Sequence, residues 1–132
     1  MKLLVDTQVL LWLRMHPERL SRRVRDRIAS GDDELLLSAA TPWEMAIKVA
    51  LGKLRLPCPV EEFVRTRSAA LRISALPITQ LHAIASAELP MHHRDPFDRV
   101  IIAQARLEDA AVLTSDRAFR KYGVDLVWAA GA

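Results

Sequence analysis

The 132-residue chain has one cysteine, Cys58, which excludes an internal disulfide framework and fits a reducing, cytoplasmic setting. It stands in Leu56-Pro57-Cys58-Pro59 and reads as part of a linker. No apolar run approaches the ~18 residues that a membrane-spanning helix requires. The opening Met1-Lys2-Leu3-Leu4-Val5 is broken by Asp6 and has no small-residue cleavage site, so it does not read as a signal peptide. Gly52-Lys53 lacks the upstream glycine and the following Ser or Thr of a phosphate-binding loop, which removes a nucleotide triphosphatase reading. Ser21, Ser38 and Ser115 have no Gly-x-Ser-x-Gly context, so a serine hydrolase is unsupported. Internal repeats and low-complexity segments are also lacking.

What is present is enough apolar material, 51% of residues, to close one packed core, and the chain is read as one domain over residues 1–132. The net charge of +3 and pI near 9.5 suit a polyanionic partner but are shared by many ordinary proteins. Short apolar runs at Lys2–Val5, Leu35–Ala39, Arg72–Ile78, Ala110–Leu113 and Val124–Trp128 read as strands. Pro77 marks the third of these as short or at an edge. Between them lie helical patterns, among them Thr7–Met15, a segment with Leu20, Val24 and Ile28 on one face, Thr41 to about Leu51, Val60–Leu71, Thr79–Ala87 and one opening at Asp95. Strands alternating with helices predict parallel pairing through right-handed crossovers, and hence an α/β three-layer sandwich. Ligands of such sheets sit at the carboxyl ends of the strands, where strand order reverses.

Asp6, Glu44, Asp98 and Asp116 are read as lying where strand-like runs give way to helix-like ones. Each has a bland explanation as a helix cap. Thr41-Pro42-Trp43-Glu44 has the form of a capping box, Asp95-Pro96-Phe97-Asp98 imitates one, and Asp6 and Asp116 suit N-cap positions, each contributing about 1 kcal/mol. Capping, however, does not require the acids of a parallel sheet to converge. Two unit charges ~4 Å apart repel by roughly 4 kcal/mol at an effective dielectric near 20. A divalent cation relieves that repulsion, and oxygen ligands favour Mg²⁺ or Mn²⁺. Such an ion supports hydrolysis of phosphate esters.

With these acids assembled, the chain resembles the PIN domains, and among them the VapC-type ribonuclease toxins of bacterial toxin–antitoxin pairs. The resemblance is carried by Leu3-Leu4-Val5-Asp6-Thr7, by Trp43-Glu44-Met45-Ala46-Ile47-Lys48 with Gly52-Lys53-Leu54, by His93-Arg94-Asp95-Pro96-Phe97-Asp98-Arg99 with Ile102-Ala103-Gln104-Ala105, and by Leu113-Thr114-Ser115-Asp116. It implies a Rossmann-like sheet of five parallel strands and an Mg²⁺- or Mn²⁺-dependent endoribonuclease. It also implies a cognate antitoxin, a homodimer, and DNA contact only through the antitoxin. By resemblance, Asp6 and Asp98 hold the principal metal, Glu44 and Asp116 complete the acidic set, and Thr114 and Ser115 bind water or phosphate beside Asp116. Asp95 reads either as a further acid of the motif or, preferably, as the cap of its helix. Arg99 reads either as a screen for the acids and a phosphate contact or as an exposed ion pair.

Other features have quieter readings. Arg22, Arg23, Arg25 and Arg27, with Arg14 and Arg19, form a solvated face that could also guide RNA. His92 and His93 are loop residues that an oxygen-only metal site does not need. Trp12 and Trp43 are expected to pack beneath the site, with base stacking as the other option. Two further function classes are an aspartyl-nucleophile phosphatase using Asp6, disfavoured by Gln8 where a second Asp is usual, and a receiver-like or purely interacting domain. The receiver reading lacks a Lys after the last strand, which ends in Trp128-Ala129-Ala130.

Overall fold

The computed structural model describes residues 1–131. Its centre is a five-stranded parallel sheet in the order β3-β2-β1-β4-β5, formed by β1 (Lys2–Val5), β2 (Glu34–Ser38), β3 (Ile73–Leu76), β4 (Ala111–Thr114) and β5 (Leu126–Trp128). All pairings are parallel, with Leu4 opposite both Leu36 and Val112. The crossovers are helical: α1 (Thr7–Met15) and α2 (Arg22–Ser30) follow β1, α3 (Ala40–Ala50) and α4 (Val60–Leu71) follow β2, and α5 (Gln80–Glu88) and α6 (Pro96–Leu107) follow β3. A 3₁₀ segment, Arg117–Tyr122, joins β4 to β5.

The continuous apolar character of β1 and β2 has a direct cause: both faces of the sheet are covered, so alternation with polar residues is not needed. Leu3, Val5, Leu35 and Leu37 pack on one side with Val9 and Leu10 of α1, Val24 and Ile28 of α2 and Phe63 of α4. Leu4, Leu36 and Val112 point the other way, onto Ile101, Ile102 and Ala105 of α6 and onto Phe119 and Tyr122. Truncating such a residue, for example Leu4 at 0% exposure, typically costs about 2–5 kcal/mol. The three-layer sandwich predicted from the strand–helix alternation is therefore the observed architecture.

Local signals place most boundaries. Ser21 caps α2 through its hydroxyl and Gly31, at φ 75°, ends it in the left-handed conformation. β3 stops before Pro77 and occupies the sheet edge, as that proline predicts. The expected capping box at Thr41–Glu44 is not formed. α3 begins at Ala40, so Thr41 and Pro42 already lie within its first turn, and the Thr41 hydroxyl bonds that of Thr7 at 3.0 Å. Asp98 also departs from expectation: α6 follows α5 and a loop rather than a strand, so this acid reaches the site from a helix that runs across the sheet face.

β1 lies at the centre, and the chain order reverses between β1 and β4. Ligands of open α/β sheets bind at the carboxyl ends of such a strand pair. Those two ends are Val5-Asp6 and Thr114-Ser115-Asp116.

Candidate metal centre

The carboxyl ends of β1 and β4 open into a cavity of about 430 Å³ whose lining includes Asp6, Glu44, Asp95, Asp98, Ser115 and Asp116. The acids that are scattered in sequence thus converge. They do so by different means.

Asp6 is the N-cap of α1 and is buried. Its carboxylate accepts from the Thr7 backbone N–H at 2.8 Å and from the Thr114 hydroxyl at 2.8 Å, a bond joining β1 to β4. Burial pushes the Asp6 carboxyl up to about 6. The two hydrogen bonds oppose the rise, while the charges of Asp116 and Glu44 add to it. Capping and site membership coincide here, since the bond that caps the helix also fixes the carboxylate.

Glu44 projects from the first half of α3 and is buried. One oxygen, Oε2, pairs with Lys48 Nζ at 3.0 Å, one helical turn on. The other, Oε1, is buried with no hydrogen-bond partner among the described residues. An orphaned buried carboxylate oxygen is costly and is a natural position for a cation. The Lys48 ammonium is held above its ordinary range by its bond to Glu44.

Asp98 stands in the first turn of α6, with its carboxylate 2.6 Å from His93 Nε2 across a shared hydrogen bond. Burial, and next the Asp6 charge, raise the Asp98 carboxyl to about 7, against the pull of His93. Asp116 is exposed; it caps the 3₁₀ segment by accepting from the Ala118 N–H at 2.9 Å, and its own N–H donates to the Thr114 hydroxyl. Ligand atoms of His93, Asp98 and Asp116 lie within 4.8 Å of one another, a spacing that could hold one ion.

The remaining expected residues separate. Asp95 is the α6 cap, its Oδ1 accepting from the Phe97 and Asp98 N–H groups at 2.9 and 3.3 Å, and it also forms part of the cavity wall. Thr114 is fully buried and bridges Asp6 to Asp116; Ser115 lines the cavity. Arg99 corrects both of its readings. It is buried and points away from the acids, donating to the backbone carbonyls of Ser86 (2.9 Å), Leu89 (2.8 Å), Pro90 (3.0 Å) and His93 (3.2 Å). It therefore ties down the loop that delivers His93 and Asp98, and it makes no ion pair among the described residues.

His93 is the site residue that sequence reasoning set aside. Its signal was its place five residues before Asp98, in a loop that turns back on the helix start. His92 instead packs against the Tyr122 ring, with centroids 5.3 Å apart. Trp12 is half-buried against the core, whereas Trp43 is exposed and meets Phe97 edge to face at 5.0 Å. Lys48 was also overlooked, though its four-residue spacing from Glu44 was legible.

The donor set of carboxylate oxygens with one imidazole, partly buried and short of cationic partners, fits a hard divalent cation. The chain is 29% identical over 120 residues to "Ribonuclease VapC22" of Mycobacterium tuberculosis, covering 90% of each. Its fold is similar to that of VapBC2 from Rickettsia felis bound to a promoter DNA fragment (TM-score 0.70, 15% identity, 98% of this chain and 99% of that one). It is also similar to FitAcB from Neisseria gonorrhoeae (TM-score 0.61, 25% identity, 94% and 95% covered). The family model described as the PIN domain matches residues 3–125. The chain belongs to the PIN domain family.

Proposed function

We propose that the protein is a metal-dependent endoribonuclease acting as the toxin of a toxin–antitoxin pair. The observation that carries this is the convergence of the buried Asp6 and Asp98 carboxylates on one cavity, with no Lys or Arg paired to either among the described residues. The His93 ring lies 2.6 Å from Asp98. Resemblance to a named ribonuclease of the same length supports RNA as the polymer.

On this reading Asp6, Asp98 and Asp116 hold Mg²⁺ or Mn²⁺, with Glu44 completing the acidic wall and the Thr114 hydroxyl fixing the rotamer of Asp6. A bound divalent cation supplies Lewis acidity toward a phosphate oxygen and toward the attacking water. His93 orients Asp98 through their 2.6 Å hydrogen bond. Lys48 carries positive charge to the cavity rim, where a phosphate approaches. Thr7 and Thr41 lock the starts of α1 and α3 together through their 3.0 Å hydroxyl contact, which holds Asp6 and Glu44 at a constant separation. The expected partners are RNA, a homodimeric second copy and a cognate antitoxin that lays an amphipathic helix against the protein and directs a cation at the carboxylates. DNA is met only through that antitoxin, and the place of action is the cytoplasm.

The test is cleavage of cellular RNA by purified protein. Cleavage should require Mg²⁺ or Mn²⁺, stop with EDTA, and fall by at least about a hundredfold in Asp6→Asn or Asp98→Asn, more than the loss of a merely supporting partner causes. Metal-independent cleavage that survives Asp6→Asn would refute the reading.

A further inference from the structure

A second cavity, of about 390 Å³, adjoins the acidic one and shares Glu44, Lys48 and Asp95 with it. Its remaining walls differ in kind. Ile47 and Leu51 on the α3 side and Pro96 and Phe97 on the α6 side give it an apolar floor, and Lys53 and Arg94 join Lys48 at its rim.

The floor is continuous with an exposed apolar stripe. Trp43, Ile47 and Leu51 recur at four-residue steps along α3, so they share one face. They are 56%, 38% and 62% exposed. The Trp43 ring meets Phe97 edge to face, which joins the stripe to the start of α6. Large apolar side chains left together at the surface mark a binding face.

From the juxtaposition of this apolar slot, its cationic rim and the adjoining carboxylates, we infer that the slot is a nucleotide subsite, receiving the base next to the phosphate that is cleaved. The inference rests on the ribonuclease reading and deepens it. A ligand spanning both cavities would present an anionic group to an ion at the acids and a flat apolar group to the adjoining slot. A nucleotide has that form, because bases offer an apolar π-face and the flanking phosphates match Lys48, Lys53 and Arg94. A basic peptide lying in the slot itself matches less well, since it would meet Lys48, Lys53 and Arg94 there.

The slot is large enough for one ring system, as small-molecule sites of ~300 Å³ and upward are. Selection at this position therefore depends on ring size and stacking, with Phe97 as the aromatic wall. Phosphates on either side add affinity without sequence preference.

The experiment uses the full chain carrying Ile47→Glu with Leu51→Glu, both at exposed positions outside the metal centre. Steady-state cleavage of a labelled oligoribonucleotide should show KM raised by about tenfold or more, the scale of one lost base-stacking contact. The kcat and the Mn²⁺-induced rise in melting temperature should be unchanged. Cut-end mapping should show a flattened preference at one position beside the scissile bond. Lys53→Ala should reduce the slope of log affinity against log salt by about one. A probe independent of any substitution is RNA with 4-thiouridine beside the cut site, irradiated on wild-type protein in EDTA, where crosslinks should fall on Leu51 or Phe97 peptides. Unchanged KM and cut pattern, with crosslinks elsewhere, overturn the subsite. So does a variant that cleaves RNA normally but no longer holds its antitoxin, since the face then belongs to a protein. Wild-type protein inert toward every RNA with Mg²⁺ or Mn²⁺ is a different failure, and it removes the ribonuclease reading itself.

Discussion

Asp33 and Asp6 are two shielded carboxylates at opposite ends of the same sheet. Asp33, at the amino end just before β2, is held by Arg27 through Nε at 2.7 Å and Nη2 at 3.1 Å, with the N-terminal amine 3.8 Å away. Its hydrogen bond from Arg27 pulls the carboxyl below the ordinary 3.8. Asp6, at the carboxyl end of β1, receives only a backbone N–H and a hydroxyl, and its burial raises it to about 6. One end of the sheet is charge-matched, and the other is deliberately short of positive charge. The difference separates an acid whose charge is matched in the fold from one whose charge is not.

The pH dependences of the two ends should therefore have opposite signs. Between the ordinary 3.8 and about 6 to 7, the folded metal-free protein holds protons on Asp6 and Asp98 that the unfolded chain has released. Stability from these groups is full below that window and is lost as pH rises through it. Asp6→Asn should thus stabilise the metal-free protein at pH 7.5, by roughly 1–2 kcal/mol once the altered Thr114 hydrogen bond is set against relief from ionisation. Chemical denaturation with EDTA at pH 5 and 7.5 measures it. A variant less stable than wild type at pH 7.5 would break the comparison.

Added Mn²⁺ should do for the wild type what neutralisation does for the variant. Saturation at about 100 times Kd is worth roughly 2.7 kcal/mol, read as a rise in melting temperature at pH 7.5. That rise should shrink toward pH 5, where protons compete for Asp6 and Asp98, and vanish in Asp98→Asn.

At the matched end, Arg27→Met should cost about 0.5–1 kcal/mol, the scale of a partly exposed ion pair. Asp33 is depressed in the folded state, so its contribution is present above about pH 4 and disappears as pH falls further, leaving mutant and wild type equal in strong acid. The smallest effect concerns the turn into β3, where Arg72 closes α4 at φ 56°. Arg72→Gly should be neutral or stabilising by up to about 1 kcal/mol, because glycine adopts this conformation without strain.

Much of this molecule was legible because its local signals agree with its packing. Lys2–Val5 reads as a doubly covered strand and is one, Val60–Leu71 has helical spacing and is α4, and Pro77 marks β3 as an edge. The misreadings share one origin, which is that a side chain's partner lies far away in sequence. Thr41 has the spacing of a cap, but its hydroxyl finds Thr7 instead. Arg99 beside Asp98 invites an ionic reading, yet on a helix successive residues face different ways, and the guanidinium is drawn into the carbonyls of the preceding loop. His93 stands five residues before Asp98 in the motif, but only the folded loop brings its ring back onto that carboxylate.

The sequence by itself determined the alternation of strands and helices, the parallel sheet that follows from it, and the identity of Asp6, Glu44, Asp98 and Asp116 as acids near strand ends or helix starts. These are consequences of periodicity and local backbone preference, which act over a few residues. Only the tertiary structure decided that β1 and β4 are neighbours, and so that Thr114 grips Asp6 across 108 positions of sequence. It likewise decided that His93 joins the acids, that Arg99 leaves them, and that an apolar slot opens beside Glu44. Each depends on which surfaces are desolvated together. Burial raises the Asp6 and Asp98 carboxyls above the ordinary range, and burial is a property of the packed chain.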